Sequence, residues 1–246
     1  MAFNLQTFKT RALTALLFVV VMLAGLLWNS WSFAVLFTVI HFGCWYEFVK
    51  LMKKIYADKY LFYCLIGLIY ITIPVLMMID LGLTIDNSDL LLNKVHFSKP
   101  GWIGIVFSSV VPCGIIFSIW INDTMAYLVG SFIGKTPLTK ISPKKTWEGT
   151  MGGIVLCVIT IGFLYPLLLK NFSTDLTIPS SAWFIIPALC GIFGTIGDLF
   201  ESKLKRMAEV KDSGSFMPGH GGFLDRFDSL LFAVPAVWIY VCLFLK

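Results

Sequence analysis

Residues 202 to 228 read SKLKRMAEVKDSGSFMPGHGGFLDRFD, a polar stretch set between two long apolar runs, about 182 to 199 and about 229 to 245. It holds five of the nineteen Lys and Arg residues, three Asp, one Glu and a His-Gly-Gly sequence. The rest of the chain is of the opposite character. Of its 246 residues 58% are hydrophobic and only 13% charged, against roughly a quarter charged in an ordinary soluble domain. The apolar residues come in blocks of roughly the 20 needed for a helix to cross a bilayer core. The alternation expected of a membrane barrel is absent. The composition therefore predicts an all-α, polytopic transmembrane helix bundle, and the polar stretch must be a loop between two of its helices.

Working outward, the blocks predict about seven spans, within a range of six to nine: 13–28, 32–51, 60–79, a fourth from about 102 running past IWIND, 151–169, 182–199 with an amphipathic extension to Met207, and 229–245. The chain reads as one integral membrane domain over 1–246, with N-terminal helices in 1–100 and the polar, chemistry-bearing loops in 101–246. The segment after the first block lacks a small-x-small cleavage pattern, so that block is expected to be retained as a span. With the N-terminus placed in the cytoplasm, fifteen of the nineteen Lys and Arg residues fall on the cytoplasmic side, and Lys94, Lys99, Lys170 and Lys246 on the other. The positive-inside rule supports that orientation and puts the loops 135–149 and 202–228 on the same face. The six cysteines are scattered singly through apolar blocks and read as buried free thiols. Glu47, near the end of the second block, reads as an interfacial residue.

Acidic residues inside or beside the spans carry the chemistry. Asp198 follows an almost uncharged run, and an unpaired Asp near the bilayer centre costs on the order of 3 kcal/mol. On a helix it shares a face with Glu201, Ser202 and Lys205. Asp225, Asp228 and Ser229 open the last helix with the same spacing, and Asn122 and Asp123 lie on the fourth. Hard oxygen ligands without paired His or Cys suit Mg²⁺. Ser142, Lys144, Lys145 and Thr146, with Lys205, Arg206 and Lys211, offer cations and hydroxyls for a polyanion, and the glycines of the 202–228 stretch allow close wrapping. Carboxylates for a metal and bases for phosphate are the chemistry of phosphoryl or nucleotidyl transfer. An anionic-solute transporter is the alternative from another class, because intramembrane carboxylates also mark ion pathways.

The 202–228 stretch resembles the signature of phosphatidate cytidylyltransferases, matching S-x-x-K-R-x4-K-D-x-G-x3-P-G-H-G-G-x2-D-R-x-D without a gap. I-N-D-T-x-A-Y-x-x-G (121–130) and S-P-K-K-T-W-E-G (142–149) resemble that family's upstream motifs. The resemblance covers about 120 to the C-terminus, with Met125 standing where the family often has a small residue. It implies transfer of cytidylyl from CTP to phosphatidate at the cytoplasmic surface of the cell's inner membrane, giving CDP-diacylglycerol and pyrophosphate, with Mg²⁺ as cofactor and room for a second cation. Asp198 and Asp225 would be metal carboxylates, with Asp228 and Asp123 near them. Lys145, Lys205, Arg206 and Lys211 would hold the phosphates. The other motif positions, Asn122, Ser142, Lys144, Thr146, Glu148, Ser202, Asp212, His220, Gly221, Gly222 and Arg226, would complete the substrate site. The bilayer is an expected partner, nucleic acid is not, and a homodimer is compatible with this reading. A CDP-alcohol phosphotransferase would need D-G-x2-A-R-x8-G-x3-D-x3-D, which the chain lacks.

Overall fold

The structure is a computed structural model and describes residues 5–85, 105–171, 178–216 and 221–245. It is a helical membrane bundle. Eight α-helices follow one another among the described residues: α1 Leu5–Leu27, α2 Ser30–Tyr56, α3 Tyr60–Cys64, α4 Ile73–Gly82, α5 Val110–Ile133, α6 Trp147–Asn171, α7 Ala182–Met207 and α8 Leu224–Phe244. In hydrocarbon every backbone N–H and C=O must be satisfied within the segment, which is why these uninterrupted apolar runs are helical. Five helical stretches are long and apolar enough to cross a membrane, and two shorter apolar ones, Ala12–Leu27 and Leu68–Gly82, fall where the first and third spans are expected. Large apolar side chains such as Leu17, Val35, Ile69, Phe163, Leu167 and Leu243 lie exposed on the outside. An apolar exterior of that extent is a surface for lipid.

Local chemistry sets several boundaries. Asn29 starts α2 through a reciprocal cap: its Oδ1 accepts from the Ser32 N–H at 2.8 Å, and Ser32 Oγ accepts from the Asn29 N–H at 3.0 Å. Before α4 the helix loosens into a π turn, Leu68–Thr72, which carries the buried Tyr70. The polar segment expected around 80–100 lies mainly outside the described residues. Its flanks, β1 Leu83–Ile85 and β2 Ile105–Phe107, pair antiparallel with Leu83 opposite Phe107, a small departure from an all-helical chain. The last helix starts at Leu224, five residues before the apolar run, so Asp225 and Asp228 lie within its first turns.

The core joins the two halves of the chain. Phe33, Phe37, Phe48 and Met78 are buried with Leu230, Ala233 and Val237 of α8. Farther along the chain, Trp183 packs at a tilt against Tyr165, whose hydroxyl donates to the Val110 carbonyl at 2.6 Å. Small residues bring the later helices close, as helix pairs in membranes require. A Cβ at Gly153 of α6 would strike Ala126 of α5, and one at Gly197 of α7 would strike the Asp228 carbonyl of α8. Because α5 to α8 run up and down in turn, the ends of α5 and α7 and the starts of α6 and α8 meet on one side of the bundle. The six cysteines are all unpaired, and four of them are buried.

Candidate active site

A cavity of about 610 Å³ opens where those helix ends meet. From α5 come Asn122, Asp123 and Gly130; from the loop before α6 come Ser142, Lys144, Lys145 and Thr146; α7 gives Asp198, and α8 gives Asp225, Asp228 and Ser229. Nine of the site residues expected from the motifs thus line one cavity.

The loop is held in shape by its own backbone. The Leu138 N–H donates to the Lys145 carbonyl at 2.7 Å and the Trp147 N–H to the Thr136 carbonyl at 3.0 Å. Thr146 Oγ1 accepts from the Gly149 N–H at 3.1 Å, capping α6. Lys145 reaches across to Asp198 as an ion pair. Burial pushes the Lys145 ammonium below its ordinary pKa, while the charges of Asp123 and Asp228 oppose that shift. Lys144 is exposed to the cavity and has no ion-pair partner among the described residues.

The carboxylates divide into two sets. Ligand oxygens of Asp198, Glu201 and Asp228 all lie within 4.8 Å of one another. Glu201 has no exposed surface; the Lys205 ammonium touches it, yet neither of its oxygens receives a well-directed hydrogen bond. Asp228 accepts from the Ser229 N–H at 2.6 Å. Asp225 stands outside this trio. Its Oδ1 accepts from Lys205 Nζ at 2.6 Å, and its Oδ2 accepts from the N–H groups of Ser213 at 2.9 Å and Gly222 at 2.8 Å. Where the sequence groups Asp198, Asp225 and Asp228, the geometry groups Asp198 and Asp228 with Glu201. The donor set fits a hard divalent cation: three carboxylates converge, and two buried oxygens await better partners. Asn122 Oδ1 is a further buried acceptor without a donor among the described residues.

The remaining sequence candidates sit around the cavity. Glu148 turns away from it and accepts from the Lys135 and Thr136 N–H groups, each at 3.2 Å. Ser202 donates to Asp198 over a long 3.4 Å. Arg206, Lys211 and Arg226 are exposed, and Asp212 borders a small pocket with Lys50 and Lys54. Gly221 adopts a φ of 83°, the left-handed region that glycine tolerates, which turns the chain into α8. His220 lies outside the described residues. Sequence reading left Glu201 out of the metal set, although it noted that residue on the Asp198 face. It also took Glu47 for an interfacial side chain. Glu47 is in fact 3% exposed and hydrogen-bonded to the 202–228 stretch, as described below.

Such a site sets carboxylates that could hold a metal beside lysines suited to an anion, at one end of a membrane bundle. Residues 104–244 match the cytidylyltransferase family, and the chain belongs to that family. It is 42% identical over 173 residues to phosphatidate cytidylyltransferase 5, chloroplastic, of Arabidopsis thaliana, covering 70% of this chain and 39% of that protein. It is 45% identical over 127 residues to the phosphatidate cytidylyltransferase of Bacillus subtilis (51% and 45%) and 41% identical over 126 residues to that of Thermotoga maritima (51% and 46%). The matched stretch spans less than half the length of each relative.

Proposed function

We propose that this protein condenses CTP with phosphatidate to give CDP-diacylglycerol and pyrophosphate, with the cavity facing the cytoplasm and the chain in the cell's inner membrane. The observation that carries the reading is the meeting, in one cavity, of Asp198 and Asp228 with Lys144 and Lys145, backed by the buried Glu201 that completes the carboxylate cluster and touches Lys205. Family membership supports nucleotidyl transfer and leaves the transporter alternative without support. The weighting of Lys and Arg toward one side supports the orientation.

A phosphatidate oxygen attacks the α-phosphorus of CTP, a new P–O bond forms, and the bond to the bridging oxygen of the β-phosphate breaks, so that pyrophosphate leaves with both electrons of that bond. The nucleophile is already an anion at neutral pH, and no general base is required. Lys144 and Lys145 orient the triphosphate, and Asn122 and Ser142 supply polar contacts at its edge. Asp198, Glu201 and Asp228 would hold Mg²⁺, which when bound neutralises charge on the phosphates. Asp225 fixes Lys205 between the two acidic sets.

The test is to incubate the purified protein with CTP, phosphatidate and Mg²⁺ and to measure pyrophosphate and CDP-diacylglycerol. Formation of both, dependent on Mg²⁺, is expected. Their absence across several detergents and added lipids overturns the reading.

A further inference from the structure

Glu47 lies on α2, far outside the stretch that matches the family. A carboxylate this deeply buried must be paired or fully hydrogen-bonded, and Glu47 finds its donors on the far side of the sequence. Its Oε1 accepts from the Phe223 N–H at 3.0 Å, and its Oε2 accepts from the Leu224 N–H at 2.9 Å and the Ser213 hydroxyl at 2.7 Å. Phe223 is the N-cap of α8 and Leu224 its first residue, where the leading N–H groups have no partner inside the helix. The N-cap residue Phe223 offers no side-chain cap. Glu47 therefore caps α8 from another helix, with its charge at the positive end of the α8 dipole.

The surroundings are built for this contact. A Cβ at Gly214 or at Gly222 would run into the Glu47 carboxylate, and one at Gly43, a turn earlier on α2, would run into the Phe223 ring. The Ser213 hydroxyl also lies 2.9 Å from Asp225 Oδ2, so its single proton is shared between the two carboxylates. Asp225 in turn holds Lys205, which touches Glu201. A continuous line of polar contacts thus runs from Glu47 through Ser213, Asp225 and Lys205 to the metal-type cluster.

We propose that Glu47 is a positioning residue of the site. By clamping Ser213 and the first turn of α8 onto α2, it sets Asp225 opposite Lys205 and so fixes where the acidic cluster and the bases stand relative to one another. A glutamine at 47 has only one acceptor oxygen, and its NH₂ would face an N–H or a hydroxyl donor, so one side of the clamp must open. The kinetic part of this inference rests on the cytidylyl-transfer reading, and the structural part does not.

The experiment uses the full chain in lipid nanodiscs with Glu47→Gln, Glu47→Asp and Ser213→Ala. Amide hydrogen exchange at 213–216 and 221–224 is followed alongside kcat and KM for CTP per folded molecule. Glu47→Gln should leave helix content unchanged, raise exchange at Ser213, Phe223 and Leu224 about tenfold or more, and lower kcat/KM by about 10- to 100-fold, the usual effect of removing a partner that orients a site. Ser213→Ala should act in the same direction, the double variant should add little, and Glu47→Asp should recover part of the loss. Unchanged exchange in Glu47→Gln, or kinetic constants within twofold of the parent protein, overturns the proposal. If Glu47→Gln fails to fold, the same two readouts on Ser213→Ala decide it. If the parent protein itself turns over no CTP, the cytidylyl-transfer reading fails, and the exchange result still decides the clamp.

Discussion

Two acidic groups sit at the α7–α8 end of the bundle, and they are bonded in opposite ways. Glu47 and Asp225 have their oxygens filled by fixed donors: backbone N–H groups, the Ser213 hydroxyl and Lys205. Asp198, Glu201 and Asp228 crowd together with few donors, and Glu201 has none that is well directed. The difference separates a structural carboxylate from one free to serve as a ligand. A carboxylate saturated by the protein has little left to offer an ion. Ionised together, three carboxylates within 4.8 Å would repel one another by about 3 kcal/mol per pair at an effective dielectric near 20, and only Lys145 and Lys205 stand against that among the described ion pairs. A divalent cation would relieve that repulsion, which supports the proposed metal role.

The largest effect should come from breaking the unsaturated set. Glu201→Gln or Asp228→Asn should lower turnover about 10³-fold, the worth of several kcal/mol of charge stabilisation. Each should also abolish the rise in melting temperature that Mg²⁺ produces; in the parent protein that rise corresponds to about 2.7 kcal/mol at a hundredfold excess over Kd. Melting with and without Mg²⁺, beside the product assay, checks both. Asp225→Asn tests the saturated set. It should also lose activity while still inserting in the membrane, but it should be destabilised by about 3 kcal/mol, as expected when one member of a buried ion pair is removed. Its Mg²⁺-dependent shift should persist. A lost shift would move Asp225 into the metal set, as the motif resemblance implies, and near-parental turnover would remove it from the site altogether.

The parts of this arrangement that could be read from sequence are those within one helix or one loop. Apolar run length marks the membrane helices, and the spacing of Asp198, Glu201 and Lys205 puts them on one face of α7. What spacing could not do was rank the members of that face. Glu201, four residues from Lys205, looks like half of an ordinary ion pair, and only the approach of Asp228 from α8 makes it part of a trio. Glu148 shows the same limit: a carboxylate inside a phosphate-type motif looks ligand-facing, yet it folds back onto the Lys135 and Thr136 N–H groups. Glu47 carries no local signal. Its partner Ser213 lies 166 positions away, and a single Glu near the end of an apolar run looks like any residue at a membrane interface. Contacts made only by tertiary packing leave no periodic trace.

The contrast between filled and unfilled groups extends to the bases, where the expected effect is smallest. Lys205 is held by Glu201 and Asp225, and Lys145 by Asp198. Lys144 lines the same cavity with no carboxylate partner among the described residues. It is therefore the cation with most to gain from an incoming phosphate. A charge-assisted hydrogen bond contributes about 1.5–3 kcal/mol, and exposure to water places Lys144 toward the low end of that range. Lys144→Ala should raise KM for CTP roughly tenfold, leave kcat within about threefold and leave the melting temperature unchanged, because no ion pair among the described residues is lost. Lys145→Ala, by contrast, should shift melting as well, because it strips Asp198 of its counter-charge. Equal melting temperatures for the two variants would erase the distinction between the occupied and the open lysine.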